Sequence, residues 1–421
     1  MERFENRQSK KEELKSRMIS STGATEQSEE SGRREEALKK SRKPAPGLGE
    51  RLRPLFVVLA VFLVLAAIWQ LYIRFYRYKD YTVTQVRDIS VGSTVGFAGF
   101  GGGILKYSKD GVIMLDRNGK EIWVESYGMK DPIISVNGDY AVIADRDGND
   151  ICIFDKNKKI SSLKTVLPIT RLTSAANGVC AVISESARAA YVYIYDKNGT
   201  KIADLEFLMN GSGYPTDIAL SPDGSRLMTS LQYIDGDDLR GRVAFYDFSD
   251  KGESILNRLV GGFDDPFGES LIGRVHYLSS IYSCAVADTG LYFFSSKNLL
   301  SPEIIKEHQF EEEIRSVCKS GENIAVVLNN DSPEHPYRLI VYNATGEKVL
   351  SKEFSYEYQY LDMDGGYVFL YNSDSALFYN KSGTAKYRGN TDFQVLKFFK
   401  ANLPNEFIFV GGTQIKTVKL K

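Results

Sequence analysis

Short runs of alternating apolar and polar residues, separated by turns, fill most of the chain after residue 80. In YVYIYDKNGTKIADL, residues 191–205, one such run enters Asp-Lys-Asn-Gly and a second run leaves it. A period of two is typical of a β-strand, and Asx and Gly residues suit the positive φ angles of hairpins. The pattern predicts two strands joined by a tight turn, and we assign that turn a structural role.

The same turn recurs along the chain at distances of 37 to 51 residues. Its anchor positions are Asp116, Asp155, Asp196, Asp247, Ser296, Asn343 and Asn380. A period near forty residues, built from short strands, is the signature of propeller blades. Each blade would be a four-stranded sheet that buries its faces against its neighbours. The chain is therefore predicted to be all-β, with a β-propeller as its main fold.

Third strands of such blades can be counted eight times. They are expected at 111–116, 150–155, 191–196, 242–247, 290–295, 338–343, 375–380 and about 413–420. The last unit lacks a fourth strand, which YTVTQVRDI at 81–89 can supply. A strand from the other end of the propeller would close the ring and remove its open edges. We predict about eight blades, with seven as the alternative.

One apolar segment stands apart from the strand pattern. LFVVLAVFLVLAAIWQLYI, residues 55–73, contains 19 residues and no charge. At about 1.5 Å per residue it nearly matches a hydrocarbon core of about 30 Å. It predicts a transmembrane helix over 54–75, preceded by a disordered basic tail over 1–53 and followed by the propeller over 80–421. Within the tail, KKEELKSRM is compatible with a short helix.

Charge is distributed unevenly along the chain. Residues 1–79 hold 17 Lys/Arg and 10 acidic residues, a net charge of +7, whereas residues 80–421 hold 36 and 44, a net charge of −8. An acidic propeller is a poor binder of phosphate backbones, so no nucleic-acid partner is predicted. Positions 34–53, before the apolar segment, hold seven cationic residues and positions 74–93, after it, hold four, which predicts a cytoplasmic N-terminus and an extracytoplasmic propeller. These residues are Arg34, Lys39, Lys40, Arg42, Lys43, Arg51 and Arg53, and then Arg74, Arg77, Lys79 and Arg87.

Two stretches resemble the repeats of known propellers. LDRNGKEIW at 115–123 resembles the quinoprotein-like repeat, in which Asp, Gly and a later Trp recur. Only this unit keeps the Trp, as Trp123, so the resemblance implies the fold and no quinone cofactor. TDIALSPDGSRLMTS at 216–230 resembles the hairpin of TolB-like and WD40-like propellers. The layout up to FAGFGGGILKYSKDGVIMLDRNGKEIW resembles an uncharacterised family of single-pass, membrane-anchored propellers of Gram-positive bacteria, a domain of unknown function. That resemblance covers about residues 50–421 and implies a cell-envelope address and no assigned activity.

Acidic residues cluster in ADRDGND at 144–150 and in YIDGDDLRG at 233–241. Closely spaced carboxylates suit calcium, whereas hairpin turns explain the same composition. We predict no metal and no cofactor. The weak calcium candidates are Asp145, Asp147, Asp150, Asp235 and Asp237.

The sequence contains no recognisable catalytic constellation. Its three His residues lie in different repeat units, and no nucleophile motif is present. Cys152, Cys180, Cys284 and Cys318 lie singly in strand-like runs, and their pairing is left open. We predict that the protein is not an enzyme. The alternative is a quinoprotein-like oxidoreductase, lyase or hydrolase with its site at the central channel.

Loop length differs between the two faces of the predicted propeller. Turns between first and second strands and between third and fourth strands share one face, and they are mostly short; we call it the short-turn face. The other, the long-loop face, carries the second-to-third loops and the crossings between blades, several of which are long. Long loops on a rigid scaffold commonly carry recognition. The long-loop face is predicted to bind a protein or cell-wall partner, as part of a scaffold or sensor, or alternatively an assembly factor, at the bacterial envelope. The candidate contact residues are Arg188, Tyr233, Arg240, Phe263, Phe267, His335 and Tyr337.

Overall fold

The computed structural model describes residues 10–18, 48–89, 94–208 and 211–421. It divides into two units, Met1–Tyr72 and Ile73–Lys421. Helix α1 covers residues 10–18, where KKEELKSRM lies, and helix α2 covers Leu48–Phe75. Most of the predicted tail, residues 1–9 and 19–47, lies outside the described residues.

None of the helices formed by the described residues has both the length and the apolar character that crossing a membrane requires. The transmembrane helix expected over 54–75 therefore stays a prediction.

The second unit contains eight four-stranded antiparallel sheets, and the first four follow one another along the chain. The first blade contains β2 (Thr94–Phe100), β3 (Gly103–Ser108), β4 (Gly111–Leu115) and β5 (Glu121–Ser126). The second contains β6 (Pro132–Asn137), β7 (Tyr140–Asp145), β8 (Asp150–Asp155) and β9 (Lys159–Lys164). The third contains β10 (Ile169–Ser174), β11 (Cys180–Glu185), β12 (Ala189–Tyr195) and β13 (Lys201–Leu208). The fourth contains β14 (Tyr214–Leu220), β15 (Arg226–Asp235), β16 (Asp238–Asp247) and β17 (Leu259–Phe263), with short 3₁₀ helices at Asp250–Gly252 and Leu256–Arg258.

The remaining four blades repeat this order. The fifth contains β18 (Ile272–Tyr277), β19 (Tyr282–Ala287), β20 (Gly290–Ser295) and β21 (Glu303–Gln309). The sixth contains β22 (Ile314–Ser320), β23 (Asn323–Ser332), β24 (His335–Tyr342) and β25 (Lys348–Phe354). The seventh contains β26 (Tyr360–Asp364), β27 (Tyr367–Tyr371), β28 (Ser375–Asn380) and β29 (Ala385–Asn390). The eighth contains β30 (Lys397–Lys400), β31 (Glu406–Val410), β32 (Gln414–Leu420) and β1 (Tyr81–Asp88).

The eighth blade closes the ring with a strand from the other end of the propeller. Strand β1 pairs antiparallel with β32, from Tyr81 opposite Leu420 to Asp88 opposite Gln414. The predicted closure by residues 81–89 is confirmed, and so is the count of eight blades over the alternative of seven. Because β1 completes the last sheet, each blade has its full set of four strands.

In six blades the recurring Asp or Asn anchors the connection between the third and fourth strands through its side chain, whereas in the fifth blade Ser295, not the predicted Ser296, makes the side-chain bond. The Oδ1 atom of Asp196 accepts hydrogen bonds from the backbone amides of Asn198 and Thr200, at 2.9 and 2.7 Å. Asn380 does the same for Ser382 and Thr384, at 3.0 and 2.9 Å. A glycine with a positive φ of 87°, Gly199, then permits the reversal into the fourth strand. The structural role predicted for this turn is confirmed.

Three of these turns also join their blade to the one before it. The indole Nε1 of Trp123, on the outer strand of the first blade, donates to the Lys156 carbonyl in the turn of the second blade at 3.0 Å. The Ser161 hydroxyl of the second blade donates to the Lys197 carbonyl in the turn of the third at 2.8 Å. His308 reaches the Gly346 carbonyl at 2.7 Å from the fifth blade to the sixth. The turn therefore supplies acceptors at the contact between neighbouring blades.

Apolar side chains fill the space between successive sheets. The contact between the seventh and eighth blades is the most aromatic of these, and Phe378 lies in it with no exposed surface. Its ring centroid is 4.8 Å from that of Phe369 and 5.0 Å from that of Phe398. Rings at these separations and in tilted or edge-on orientations contribute beyond the area that they bury.

We expect Phe378→Ala to lower the free energy of unfolding by about 3 to 5 kcal/mol, because it leaves a cavity between two blades. Chemical denaturation followed by tryptophan fluorescence measures the loss. Val349→Ala is the control, since Val349 is 49% exposed on β25 and should change stability by less than about 0.5 kcal/mol. A loss of less than about 1 kcal/mol for Phe378→Ala would contradict this account of the ring.

Candidate functional site

A two-stranded ribbon projects from the long-loop face of the fourth blade. Strands β15 and β16 have 10 residues each, and their outermost pairs are Tyr233 with Arg240, Ile234 with Leu239 and Asp235 with Asp238. The inner strand β14 pairs no farther out than Gln232, and the outer strand β17 no farther than Val243. At about 3.3 Å per residue, the unsupported ribbon extends about 10 Å beyond the four-stranded sheet.

The base of the ribbon is held by Arg242. Its guanidinium makes two hydrogen bonds to the carboxylate of Asp264, at 2.5 and 2.8 Å, and lies 4.4 Å above the ring of Tyr233. Such paired, charge-assisted bonds fix orientation as well as position, and the hydrogen bond to Asp264 raises the pKa of Arg242. Farther out, Arg240 forms an ion pair with Asp235 at 3.4 Å. These contacts hold the ribbon in one orientation relative to the fourth blade.

The outer part of the ribbon exposes apolar side chains. Ile234 is 73% exposed and Leu239 is 54% exposed, and the two lie directly opposite each other. Three further apolar side chains on the long-loop face are at least half exposed: Val166 on the crossing from the second to the third blade, Leu208 at the end of β13, and Leu271 on the crossing from the fourth to the fifth blade. An isolated exposed apolar residue needs no explanation, but several on one face of three consecutive blades form a candidate contact surface. We call these five residues the ribbon surface.

Two of the predicted contact residues, Phe267 and Tyr337, are buried, and a third, Phe263, is partly buried. Phe267 is 2% exposed with its ring 4.5 Å from Tyr292, and Phe263 packs between Phe245 and Phe294 at 5.9 and 5.1 Å. The crossing at 259–270 turns back over the contact between the fourth and fifth blades, which buries the ring of Phe267 and partly covers that of Phe263.

Tyr337 is likewise withdrawn, with 6% of its surface exposed. Its hydroxyl donates to Glu357 at 2.7 Å, and the guanidinium of Arg315 lies 4.7 Å from its ring. Burial and the Glu357 hydrogen bond raise the pKa of Tyr337. The Tyr337 ring packs between blades. The alternation of apolar and polar residues in the sequence does not show whether such a ring is buried or exposed.

The other predicted contact residues remain at the surface. Arg188 is exposed in the loop before β12, and Tyr233 and Arg240 are half-buried on the projecting ribbon. His335 is exposed at the start of β24, where its carbonyl accepts a hydrogen bond from Asn330 at 2.7 Å. Their role in binding stays a prediction.

The acidic candidates mostly have partners of their own. The Oδ1 atom of Asp145 accepts the backbone amides of Lys130 and Asp131, each at 2.8 Å. Asp150 pairs with Lys164 at 3.0 Å. Asp147 and Asp237 are exposed in hairpin loops, and Asp235 pairs with Arg240 as described above. Within the described ranges, no group of three or more His, Cys, Asp or Glu side chains is placed to hold a metal ion.

The four cysteines are free thiols in this structure. Burial raises the pKa of Cys180 and of Cys318 to about 12, so neither thiol ionises readily at neutral pH. Burial, with lesser contributions from the charges of Lys319 and Arg274, lowers the pKa of His276 to about 4. At neutral pH these side chains are uncharged.

A carboxylate between two arginines lines the central channel, and the sequence reasoning missed it. Asp217 on β14 lies 4.0 Å from Arg171 on β10 and 3.6 Å from Arg274 on β18, and its Oδ2 accepts the amide of Val275 at 3.0 Å. Each residue is on the innermost strand of its blade. Their spacing of 46 and 57 residues is close to one repeat, and this was the available signal.

On the opposite wall of the channel, Lys397 on β30 pairs with Asp362 on β26 at 2.8 Å. The hydroxyl of Tyr371 donates to the same carboxylate at 2.6 Å. Asp362 and Lys397 border two cavities, one of about 570 Å³ toward the short-turn face and one of about 500 Å³ toward the long-loop face. The channel is thus a second place where a ligand could be bound.

The family model described as "Family of unknown function (DUF5711)" matches residues 74–420. The chain belongs to the DUF5711 family. The match covers the whole propeller, including β1, which closes the ring in this DUF5711 protein. No curated protein is similar enough in sequence to count as a match.

Solved structures resemble the DUF5711 chain at low sequence identity. Sqt1 from Chaetomium thermophilum has a TM-score of 0.53 and 13% identity, with 81% of this chain and 100% of that one covered. BamB from Moraxella catarrhalis has a TM-score of 0.48 and 13% identity, with the same coverage. The similarity to Sqt1 supports the propeller fold and nothing beyond it.

We expect Asp217→Asn to stabilise the protein at pH 7. Burial raises the pKa of Asp217 above its ordinary value of 3.8, in spite of the two arginines and the Val275 amide. The contribution of protonated Asp217 to the free energy of unfolding is therefore fully present below pH 3.8. It is lost as the pH rises through the pKa of Asp217 in the folded protein. Asparagine keeps an acceptor for the Val275 amide without a buried charge.

Thermal unfolding measured from pH 4 to pH 8 tests this expectation. The advantage of Asp217→Asn should grow with pH, and the exposed Asp331→Asn should show none. A variant that is less stable than the parent at pH 7 would mean that the arginine contacts outweigh the cost of burying the charge.

Proposed function

We propose that this protein is a non-catalytic binding module whose ribbon surface docks a protein partner, held at the membrane by a single spanning helix. The observation that carries the proposal is the ribbon of the fourth blade, which presents Ile234 and Leu239 outward from a rigid base. Rigid presentation limits the entropy that is lost on binding.

The energetics favour a partner that covers several side chains together. Burying Ile234 and Leu239 would contribute about 1.5 to 3 kcal/mol each. Association itself costs on the order of 4 to 15 kcal/mol, so the ribbon pair alone is insufficient. Val166, Leu208 and Leu271 enlarge the apolar area on the same face. Because these side chains are aliphatic, a protein partner fits the surface better than a cell-wall glycan rich in hydroxyl groups.

The flanking polar groups supply specificity in this proposal. Arg240 is half-buried beside Asp235 and Asp238, and its guanidinium lies 3.4 Å from the nearer carboxylate. Such a ring of charge around an apolar centre is the usual arrangement of an interface rim. Arg188 and Tyr233 extend that rim toward the neighbouring blade in this account.

The proposed membrane location rests on the segment before the propeller. The charge-free run at 55–73 falls within α2, and the described side chains from 56 to 72 are all exposed. Seven cationic residues at 34–53 against four at 74–93 favour a cytoplasmic N-terminus and an extracytoplasmic propeller. Five residues separate Phe75 from β1, so the proposed anchor leads directly into the strand that closes the ring.

We expect the double variant Ile234→Ser and Leu239→Ser to lose its partner in the native host. In-cell crosslinking of the full-length protein followed by mass spectrometry would identify that partner. The matched control is Ile202→Ser with Val349→Ser, which removes two side chains of similar exposure, 53% and 49%, from outer strands. One stoichiometric partner that is lost in the first variant and kept in the second supports the proposal. A partner kept in both variants would reject the ribbon surface.

We also expect a tag placed after Lys421 to be cleaved by protease on intact protoplasts, and a tag placed before Met1 to be protected. Protection of the C-terminal tag on intact protoplasts would reverse the proposed orientation.

The double variant Leu63→Arg and Leu65→Arg should move the protein out of the membrane fraction, because each arginine costs about 2.5 to 3.5 kcal/mol at the centre of a spanning helix. Membrane retention of the arginine variant would reject the anchor.

A further inference from the structure

The cavity at the short-turn end of the channel has the size of a small-molecule site. Its volume of about 570 Å³ falls within the range of ligand pockets. The innermost strands of five blades line it, namely β2, β6, β22, β26 and β30, together with the glycine-rich turns that follow several of them. It lies at the opposite face from the ribbon surface, so a ligand here is independent of the docking proposed above.

Positive charge predominates in the lining of this cavity, in contrast to the acidic propeller around it. Four cationic side chains line it against two carboxylates: Arg117, Lys319, Lys397 and Lys400, and Asp362 and Asp364. The propeller as a whole has 36 Lys/Arg against 44 acidic residues over 80–421. A cavity whose lining carries net positive charge attracts anions.

Three of the four cations already have protein partners. The ammonium of Lys400 donates to the carbonyls of Ala401 and Glu406, at 2.7 and 3.0 Å, and holds the turn after β30. Arg117 donates to the Gly102 carbonyl at 2.9 Å and to the side chain of Asn402. Lys397 pairs with Asp362. These contacts account for their placement in the fold.

Lys319 on β22 is different. Its ammonium forms no hydrogen bond or ion pair with any of the residues that the structure describes, although its side chain is exposed to the cavity. The channel wall nevertheless surrounds it, and this burial lowers the pKa of the Lys319 ammonium. The positive charges of Lys319 and Arg274 add to the larger effect of burial in lowering the pKa of His276. Placing a cation partly out of water without a counter-charge is unfavourable, and no contact within the described residues offsets this cost for Lys319.

We propose that Lys319 binds an oxyanion, the carboxylate or phosphate group of a small molecule that enters the short-turn cavity. The ammonium supplies a charge-assisted hydrogen bond that the protein itself leaves unused. Lys397 also lines the cavity and forms an ion pair with Asp362. This pair marks the end of the site toward the long-loop face. The ligand is a small anion, because a cavity of about 570 Å³ has the size of a small-molecule site.

Isothermal titration of the full-length protein in non-ionic detergent, with inorganic phosphate and with citrate as separate probes, tests the site. We expect at least one probe to bind with a Kd below about 1 mM, and Lys319→Gln to weaken it by at least about tenfold. Lys319→Arg should retain binding. The control is Lys158→Gln, an exposed lysine in the turn between β8 and β9.

Each result bears on the proposal. Tighter phosphate binding than citrate binding identifies a phosphate ligand, and the reverse identifies a carboxylate. Equal weakening in Lys319→Gln and Lys158→Gln indicates general charge attraction and overturns the site. The absence of binding by both probes overturns it as well.

A second measurement needs no variant. Acetylation of the parent protein with acetic anhydride, with and without the bound probe, reports the reactivity of each lysine by mass spectrometry. We expect protection of Lys319 by at least about threefold and none at Lys158, since an anion on the ammonium keeps it protonated and covered. Unchanged acetylation of Lys319 at saturating probe would overturn the assignment even if Lys319→Gln failed to fold.

Discussion

The contact between the turn of one blade and the outer strand of the blade before it is the constraint on which this ring depends. A four-stranded sheet buries neither face alone, so each blade is stable only against its neighbours. The Asx side chain at the start of the turn satisfies two backbone amides, which leaves the turn carbonyls free to accept from the preceding blade. Trp123, Ser161 and His308 each use such a carbonyl. The same short motif therefore shapes a hairpin and sets the position of the next sheet.

The two faces of the ring differ in the length of their connections. The turns of the short-turn face contact the neighbouring blade at several positions. On the long-loop face β14 and β17 end before the outer part of β15 and β16, so this ribbon extends past its sheet without disturbing the ring. Arg242 and Asp264 then hold the extension in place. A projecting ribbon with apolar side chains is compatible with the fold because nothing in the ring depends on it.

The channel follows from the ring as well, since eight innermost strands leave a central space that side chains only partly fill. Charged residues from different blades meet there. Asp217 lies between Arg171 and Arg274, and Asp362 pairs with Lys397. Lys319 belongs to the same set by position and differs in lacking a partner among the described residues. Docking at one face and anion binding at the other end of the channel can therefore coexist on one scaffold.

The repeat, the strand positions, the turn chemistry and the closure by residues 81–89 could all be predicted from the sequence, because they depend on local alternation and on short-range hydrogen bonds. The sequence also indicated which face has long loops. Which aromatic side chains on those loops are buried depends on tertiary contacts: Phe267 and Tyr337 belong to long-loop segments, yet the crossing and the neighbouring blade cover them. The meeting of Asp217 with two arginines and the isolation of Lys319 likewise required the ring, since each involves residues about one repeat apart or more. Curvature brings such residues together, and no local pattern records it.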